Sequence, residues 1–368
     1  MGSVTARIGR IVLFGATGYT GQLAARALVA RGAAPVLAAR SQARVEALAA
    51  ELGGLEFAVA DVARPATVRA LVEAGDVLIS TVGPFVRWGE PAVRAALDAG
   101  AHYLDSTGEP PFIRAVFERH GAAAEAAGIG LLTAFGYDYV PGNLAAALAL
   151  REAGERAVSV DVAYFLGGAG SQPSGGTRAS SVGMLAEPAY AFVGGRLLTE
   201  RTARRLRSFD GRPAISVGAT EQFALPRAHP GLRDARVWLG WFGPASRPLQ
   251  AVSAATALAA KLPGVRGAIG AAAGRLVKGS TGGPDAATRA QTSSQIVAIA
   301  SDAAGVPLAT VRLEGDNPYD FTGAVLAWGA MTAAAGGLRG SGALGPVDGF
   351  GLDELQTGVA QAGIARVD

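Results

Sequence analysis

Ile11-Val12-Leu13-Phe14-Gly15-Ala16-Thr17-Gly18-Tyr19-Thr20-Gly21 decides the fold. A short apolar run ends in three glycines spaced three apart, and a helix-like stretch continues to about residue 31. Gly15 permits a tight turn, Gly18 lets backbone approach a pyrophosphate, and Gly21 lets the helix pack close to the sheet. Free N–H groups at the helix start and the helix dipole then favour phosphate. In a chain with 52 glycines such a pattern alone is weak. Its context makes it specific.

Five more apolar runs follow, at 36–39, 57–60, 77–80, 102–104 and 129–133. Helical spacing separates them at 41–52, 68–74, 91–99 and 111–127. Six runs alternating with helices predict an α/β fold, a Rossmann domain with a doubly wound parallel sheet. From about 157 the texture changes. Residues 158–166, 214–220 and 235–242 read as strands following one another with fewer crossovers. Residues 288–300 and 306–314 read as a hairpin around Ser301-Asp302-Ala303-Ala304-Gly305. Helices are expected at 176–192, 248–262, 320–338 and 352–362. The division expected is a nucleotide-binding domain over 1–150, a second α+β domain for substrate and dimerisation over 151–318, and helices over 319–368 packing back on the first domain.

The second run selects the nucleotide. NAD sites place Asp or Glu at the end of this strand, on the ribose 2′-hydroxyl. Here the sequence reads Ala38-Ala39-Arg40-Ser41, with Arg44 one turn on. A guanidinium suits a 2′-phosphate, so NADP(H) is the expected cofactor. Asp61, before Val62, either faces the adenine or caps the next helix. Thr81-Val82-Gly83-Pro84-Phe85 should lie beside the ribose and nicotinamide, with Phe85 or Trp88 as a wall or as core.

Composition removes other chemistries. The chain of 368 residues has no cysteine, so thiol nucleophiles, disulfides and thiolate metal sites are excluded. Its histidines, His102, His120 and His229, are not spaced as a metal pair, and no metal is expected. No tyrosine has lysine four residues on, which excludes the Tyr-x-x-x-Lys acid pair of short-chain dehydrogenases. A net charge of +3 gives no reason to expect nucleic acid. Residues 1–10 are not followed by an apolar run with a cleavage site, and Ala6 breaks the myristoylation pattern. The apolar stretches 251–260 and 324–338 are shorter than the roughly 18 residues a span needs. A cytoplasmic chain without a membrane span is expected.

Further motifs narrow the reading: Tyr103-Leu104-Asp105-Ser106-Thr107-Gly108-Glu109, Gly136-Tyr137-Asp138-Tyr139-Val140-Pro141-Gly142, Ser174-Gly175-Gly176-Thr177 and Gly315-Asp316-Asn317-Pro318-Tyr319-Asp320. With the glycine loop and Thr81–Phe85, they resemble the saccharopine-dehydrogenase-like oxidoreductases, nearest the branch of trans-acting enoyl reductases. The resemblance is strong over 8–180 and weaker beyond. It implies an NADP-binding Rossmann domain, an α/β domain over a substrate cleft and C-terminal helices returning to the first domain. The segment from 136 departs from the GFDSVPxD of relatives at Tyr137, Tyr139, Gly142 and Asn143, which puts the relatives' substrate in question here.

Hydride transfer needs an electrophilic carbon near the nicotinamide and a proton for its neighbour. Tyr103, Asp105 and Glu109 end the fifth run, and Tyr137, Asp138 and Tyr139 follow the sixth. Tyr137 or Tyr139 is the first choice of donor, and Asp105 and Glu109 are equally readable as caps of the helix near residue 110. Ser174, Gly175, Gly176 and Thr177 open a helix whose N–H groups could take a carboxylate, a phosphate or an amide. Residues 196–236 hold nine Arg against four acids. The cluster Arg201, Arg204, Arg205 and Arg207 is either a solvated loop or a dock for a carrier-bound acyl group.

The expected reaction is NADPH-dependent reduction of an activated C=C bond in a small acyl or polyketide-type substrate. Reduction of a C=N bond is the first alternative, and an NADP-binding sensor or scaffold without turnover the second. The strand-rich second domain suggests a homodimer.

Overall fold

The computed structural model describes residues 9–168, 187–259 and 282–367. The first sheet contains β1 (Ile11–Phe14), β2 (Val36–Ala39), β3 (Phe57–Val59), β4 (Val77–Ser80), β5 (His102–Asp105) and β6 (Gly130–Leu132). Their spatial order is 6-5-4-1-2-3 and every pairing is parallel. This is the order of a Rossmann domain, reversing at β1. Strands β1, β2 and β4 are buried at all four positions, as helices on both faces require. Those helices include α1 (Tyr19–Ala30), α2 (Gln42–Glu51), α3 (Pro65–Arg69), α4 (Phe85–Trp88), α5 (Glu90–Ala99), α6 (Pro110–Ala115) and α7 (Gly121–Ala126).

Helix α8 (Val140–Ala153) leaves β6 and is buried along its length from Val140 to Leu150. It lies on the second sheet, which holds β7 (Ser159–Gly167), β8 (Pro188–Val193), β9 (Arg196–Arg201), β10 (Leu206–Phe209), β11 (Arg212–Val217), β12 (Asp234–Leu239), β13 (Ser293–Ser301) and β14 (Pro307–Gly315). Its main path runs β10-β11-β12-β7-β13-β14, antiparallel except for β12 with β7. In β7 the core-facing residues alternate: Val160, Val162 and Tyr164 join the main core, whereas Ala163 and Phe165 join a smaller cluster with Phe209, Ala214 and Trp238. Helices α9 (Glu221–Ala228), α10 (Ser246–Ala259) and α11 (Ala286–Ala290) complete this part.

The chain then returns. Helix α12 (Pro318–Ala334) lies beside α1 against β1, β4 and β5. Gly323 allows the approach, because a Cβ there would sit 3.0 Å from the Leu23 backbone. Strand β15 (Gly342–Ala343) adds to β6 as a seventh parallel strand. After α13 (Pro346–Phe350) and α14 (Leu352–Gln361), β16 (Ile364–Val367) crosses back and pairs with β14.

Two expectations need correction. Residues 188–192, the end of the helix expected over 176–192, belong to β8, a strand of a hairpin with β9; Ala189, Tyr190 and Ala191 are all buried, so no period of two marks the strand. The start of the strand expected over 288–300 is helix α11, capped by Asp285, whose side chain accepts from Thr288 N at 2.8 Å. Strands β15 and β16 have no readable period. The hairpin turn forms as expected: Asp302 Oδ1 accepts from Ala304 N and Val306 N, both at 2.9 Å. No helix among the described residues is long and apolar enough to cross a membrane.

Candidate functional site

The glycine loop is fixed by its surroundings. Gly15 N and Ala16 N both donate to Ala38 O, at 2.8 and 3.1 Å. Gly15 has φ +92°, a region side chains rarely adopt. A Cβ at Gly21 would lie 2.2 Å from Gly15 O, whereas one at Gly18 would meet nothing closer than that same oxygen at 3.2 Å. Gly18 caps α1 without a side-chain bond, and the first turn carries no acid. The opening N–H groups of α1 therefore face an uncrowded, anion-favouring space. Ala16, Thr17, Tyr19 and Thr20 complete this cradle, which fits a dinucleotide pyrophosphate. Arg44 Nη2 donates to Thr17 O at 2.9 Å, while Arg40 is exposed at the end of β2 and Ser41 caps α2 without a side-chain bond. These cations at the strand end fit a 2′-phosphate. Asp61 Oδ1 accepts from Ala63 N at 3.0 Å, so it closes its own turn beside Val62.

The loop after β4 leans on the glycine loop. Thr81 Oγ donates toward Gly15 O at 3.1 Å, and a Cβ on Gly15 would meet Thr81 Oγ and Val82. Gly83 is exposed, Pro84 half-buried and Phe85 buried against Phe112 at 5.5 Å between ring centroids. Trp88 is half-buried beneath the Arg87 guanidinium, 4.4 Å from its ring. Glu109 is buried and accepts from Phe85 N at 3.0 Å and Val86 N at 2.8 Å. It makes no cap bond to its own helix, α6; it caps α4 instead. The Glu109 side chain thus ties the end of β5 to the loop after β4 through two backbone N–H donors. Glu109→Ala is expected to weaken NADPH affinity by about tenfold, measured by cofactor fluorescence. An unchanged affinity would sever this carboxylate from the cofactor loop.

Between the ends of β4, β5 and β6 lies a buried polar set. Ser80 pairs with Asp105 across β4 and β5. Asp105 Oδ1 accepts from Thr107 N and Ala134 N, each at 2.9 Å, while its other oxygen, Ser80 Oγ, Tyr103 OH and Thr133 Oγ have no partner within ordinary hydrogen-bond geometry. Burial raises the Asp105 carboxyl to about 6 and pushes the Tyr103 phenol well up.

The turn after β6 reaches the second sheet. Tyr137 is buried and donates its hydroxyl to Phe165 O at 3.2 Å; its ring stacks on Trp241, with centroids 6.2 Å apart. Tyr139 is fully buried, with its hydroxyl unpartnered. Burial raises both phenols far above their usual value. Asp138 differs from them. It keeps part of its surface accessible although Oδ1 is buried and unpartnered. Its Oδ2 lies so near Gly108 that a Cβ there would be 2.7 Å away. Desolvation raises this carboxyl to about 7.

Sequence reading misses the second-domain side. Tyr164 OH lies 2.7 Å from Glu221 Oε1 and 3.3 Å from Tyr139 O. Asn143 Nδ2 donates to Tyr139 O at 2.8 Å and Thr220 Oγ at 2.9 Å. Tyr19 belongs to the glycine loop and is also a clasp, which its sequence position does not reveal. Its hydroxyl donates to Pro284 O at 2.6 Å and accepts from Arg289 Nη1 at 3.2 Å, and Arg289 Nε donates to Asp320 Oδ1 at 2.8 Å. Ser174, Gly175, Gly176 and Thr177 lie outside the described residues. The arginine cluster is largely engaged within the chain. Arg201 Nη1 donates to Ala203 O at 2.9 Å and Ser253 Oγ at 3.2 Å, Arg207 pairs with Asp161, and Arg204 lies 3.6 Å from Glu200.

Comparison with known proteins places this geometry. Residues 11–132 match the family described as the saccharopine dehydrogenase NADP binding domain. A putative trans-acting enoyl reductase of Mycobacterium tuberculosis is 39% identical over 140 residues, which is 36% of this chain and 33% of that protein. The trans-acting enoyl reductase of Mycobacterium leprae is also 39% identical over 140 residues, 36% of this chain and 34% of that one. The match thus spans about a third of the length of these relatives. Apo saccharopine dehydrogenase (L-Glu forming) from Saccharomyces cerevisiae superposes with a TM-score of 0.60, covering 98% of this chain and 100% of that one at 13% identity. That likeness is one of fold.

Proposed function

We propose that this chain, whose residues 11–132 form a saccharopine dehydrogenase NADP binding domain and whose cofactor is NADP(H), reduces a C=C bond conjugated to an acyl carbonyl. Asp138 is the proton donor in this reading. The glycine loop, Gly15 to Gly21, would hold NADPH, which would supply a hydride for the β-carbon, leaving the substrate's π electrons on the carbonyl oxygen as an enolate. The carboxyl of Asp138 then gives its proton to the α-carbon and is left as a carboxylate, to be reprotonated from solvent through its accessible side.

The observation that carries this is the placement of Asp138. It follows β6 and touches Gly108 beyond β5, at the carboxyl ends of the strands, where open α/β sheets bind ligands. It is the partly accessible member of the triplet 137–139, and a carboxyl titrating near 7 is suited to general acid work at neutral pH. Tyr137 and Tyr139 frame it and keep it desolvated. The names of the mycobacterial relatives support C=C reduction. They also suggest a carrier-bound substrate, although most of the cluster at 201–207 is already paired within the chain. A cytoplasmic homodimer belongs to the same proposal.

One observation favours the C=N alternative. Asp105 and Asp138 gather at the carboxyl ends of β5 and β6, and no buried Lys or Arg accompanies them among the described residues. Such a field would favour a cationic iminium. NADPH deuterated at C4, offered with enoyl thioesters, free enones and cyclic imines, separates the readings by mass spectrometry. Label on the carbon β to a carbonyl is expected. Label on a carbon bearing nitrogen would replace the proposal with imine reduction, and bound NADPH that no compound oxidises would leave a sensor.

Arg40 is proposed as the 2′-phosphate contact. Arg40→Ala is expected to cut the preference for NADPH over NADH by about 10–100-fold, read as the ratio of kcat/KM values. A preference that stays the same would return Arg40 to the solvated surface.

A further inference from the structure

One hydroxyl makes two contacts at the back of the Asp138 turn. Tyr164 OH is 2.7 Å from Glu221 Oε1 and 3.3 Å from Tyr139 O. A phenol has a single proton, and a backbone carbonyl has none to give. Both contacts become hydrogen bonds together only if Glu221 carries a proton. Glu221 then donates to Tyr164, and Tyr164 donates to Tyr139 O. An ionised Glu221 would draw the phenol proton to itself, leaving Tyr139 O to its two donors from Asn143, Nδ2 at 2.8 Å and N at 3.2 Å.

The surroundings agree. Glu221 is fully buried. The groups facing it are Tyr164 from β7, Asp138 and Tyr139 from the turn, Asn143 from α8, Thr220 beside it and the Tyr190 phenol from β8. Tyr190 in turn feels the charges of Arg114 and Glu118. Gly142 makes room: a Cβ there would lie 1.9 Å from Tyr164 OH and 2.6 Å from Glu221 Oε1. Tyr164 also packs edge-on against Tyr137 and Tyr139, at 5.5 and 5.7 Å between centroids.

We propose that Glu221 is a neutral positioning residue for Asp138: its carboxyl proton, passed through Tyr164, fixes the turn 137–139, and the two buried carboxyls each resist ionisation of the other. The use of Asp138 in turnover rests on the function proposed above, but the pairing does not. Burial raises Glu221 to about 8 and Asp138 to about 7, and the charge of an ionised Asp138 further opposes ionisation of Glu221. When Asp138 gives up its proton, a neutral Glu221 spares it a second negative charge.

The test is an infrared and carboxyl-¹³C NMR titration of the full chain without cofactor. Two buried protonated carboxyls assigned to these residues are expected at pH 6.5. Glu221→Gln should remove one and leave the midpoint of Asp138 within about 0.3 pH unit, because glutamine is as neutral as the protonated carboxyl it replaces. Asp138→Asn should lower the Glu221 midpoint by about one pH unit, because Asp138 ionises first and its charge opposes the second ionisation; this variant also covers the case in which Glu221→Gln does not fold. Tyr164→Phe should leave both carboxyls present but loosen the turn, read as faster amide exchange at Tyr139. A Glu221 midpoint that ignores Asp138→Asn, or a Glu221 already ionised at pH 6.5, overturns the proposal. Coupled midpoints together with an Asp138→Asn variant that still turns over would keep the pair and remove the acid assignment alone.

Discussion

Asp138→Asn is expected to lower kcat by about 10²–10⁴-fold, the usual contribution of a positioned acid, while NADPH affinity stays within about threefold. Asparagine keeps the shape of the side chain and removes the transferable proton. The contacts that fix the cradle, from Gly15, Thr81 and Glu109, do not involve residue 138. In the unaltered chain kcat should fall as pH rises through about 7, because only the protonated carboxyl at that value can donate. The variant should lose this limb along with its rate. A rate within tenfold of the parent, with the limb retained, would move the donor elsewhere, first to Tyr137.

Folding stability should fall as pH rises from about 5 to about 8. Asp105, Asp138 and Glu221 are raised to about 6, 7 and 8, from 3.8, 3.8 and 4.5. Over this window the folded chain holds protons that the unfolded chain has lost, so raising pH favours unfolding. A tenfold change in a proton-binding equilibrium corresponds to about 1.4 kcal/mol. All three carboxyls bind their proton more than a hundredfold more tightly in the folded chain. Reduced by coupling, this gives a loss on the order of several kcal/mol across the window. Carboxylates whose values are lowered, such as Asp76 beside Arg10 and Glu90 beside Arg94 and His120, act the other way but below this window. Denaturant midpoints at pH 5, 6, 7 and 8 measure the slope, and Glu221→Gln should flatten its upper part. A midpoint that rises from pH 5 to 8 would refute the buried neutral state of these acids.

The Rossmann half is legible because its signals are local. Six apolar runs and three glycines lie where the chain itself demands them, and the strand order follows from the connection rules. The second sheet is legible where a hairpin turn announces it, at 301–305, and illegible at 188–193, where three consecutive buried residues, Ala189, Tyr190 and Ala191, leave no alternation to read. Strand β15, two residues long, exists only because β6 offers it an edge. The same distinction holds at the site. Gly15, Gly18 and Gly21 act through their own backbone and can be read directly. Glu109 can be suspected but not assigned, since its partners Phe85 N and Val86 N lie 24 and 23 residues upstream. Glu221 has no signal at all. It follows Thr220 like any acid opening a helix, and its partner Tyr164 is 57 residues away.

The route of the chain between its two sheets has an engineering consequence. Tyr137 N, where the chain departs from β6, donates to Thr322 Oγ at 3.0 Å, just after it has returned. Exit and re-entry are therefore side by side, and everything between them forms a loop closed at its base. Recombination among homologues should accordingly favour swapping this interior cassette over exchanging tails. A tail exchange would tear α12 and β15 from the sheet, leaving Phe135 without Trp328 and Phe350, whose rings lie 6.4 and 5.5 Å from it. A cassette swap must respect its ties to the tail, among them the packing of α8 on α13 and α14, the bond from Arg227 Nη1 to Ala343 O at 2.8 Å, and the pairing of β16 along β14 from Arg312 to Gly315. Chimeras that carry over that strand pair with the cassette should stay folded and inherit the donor's substrate range on the recipient's cofactor domain.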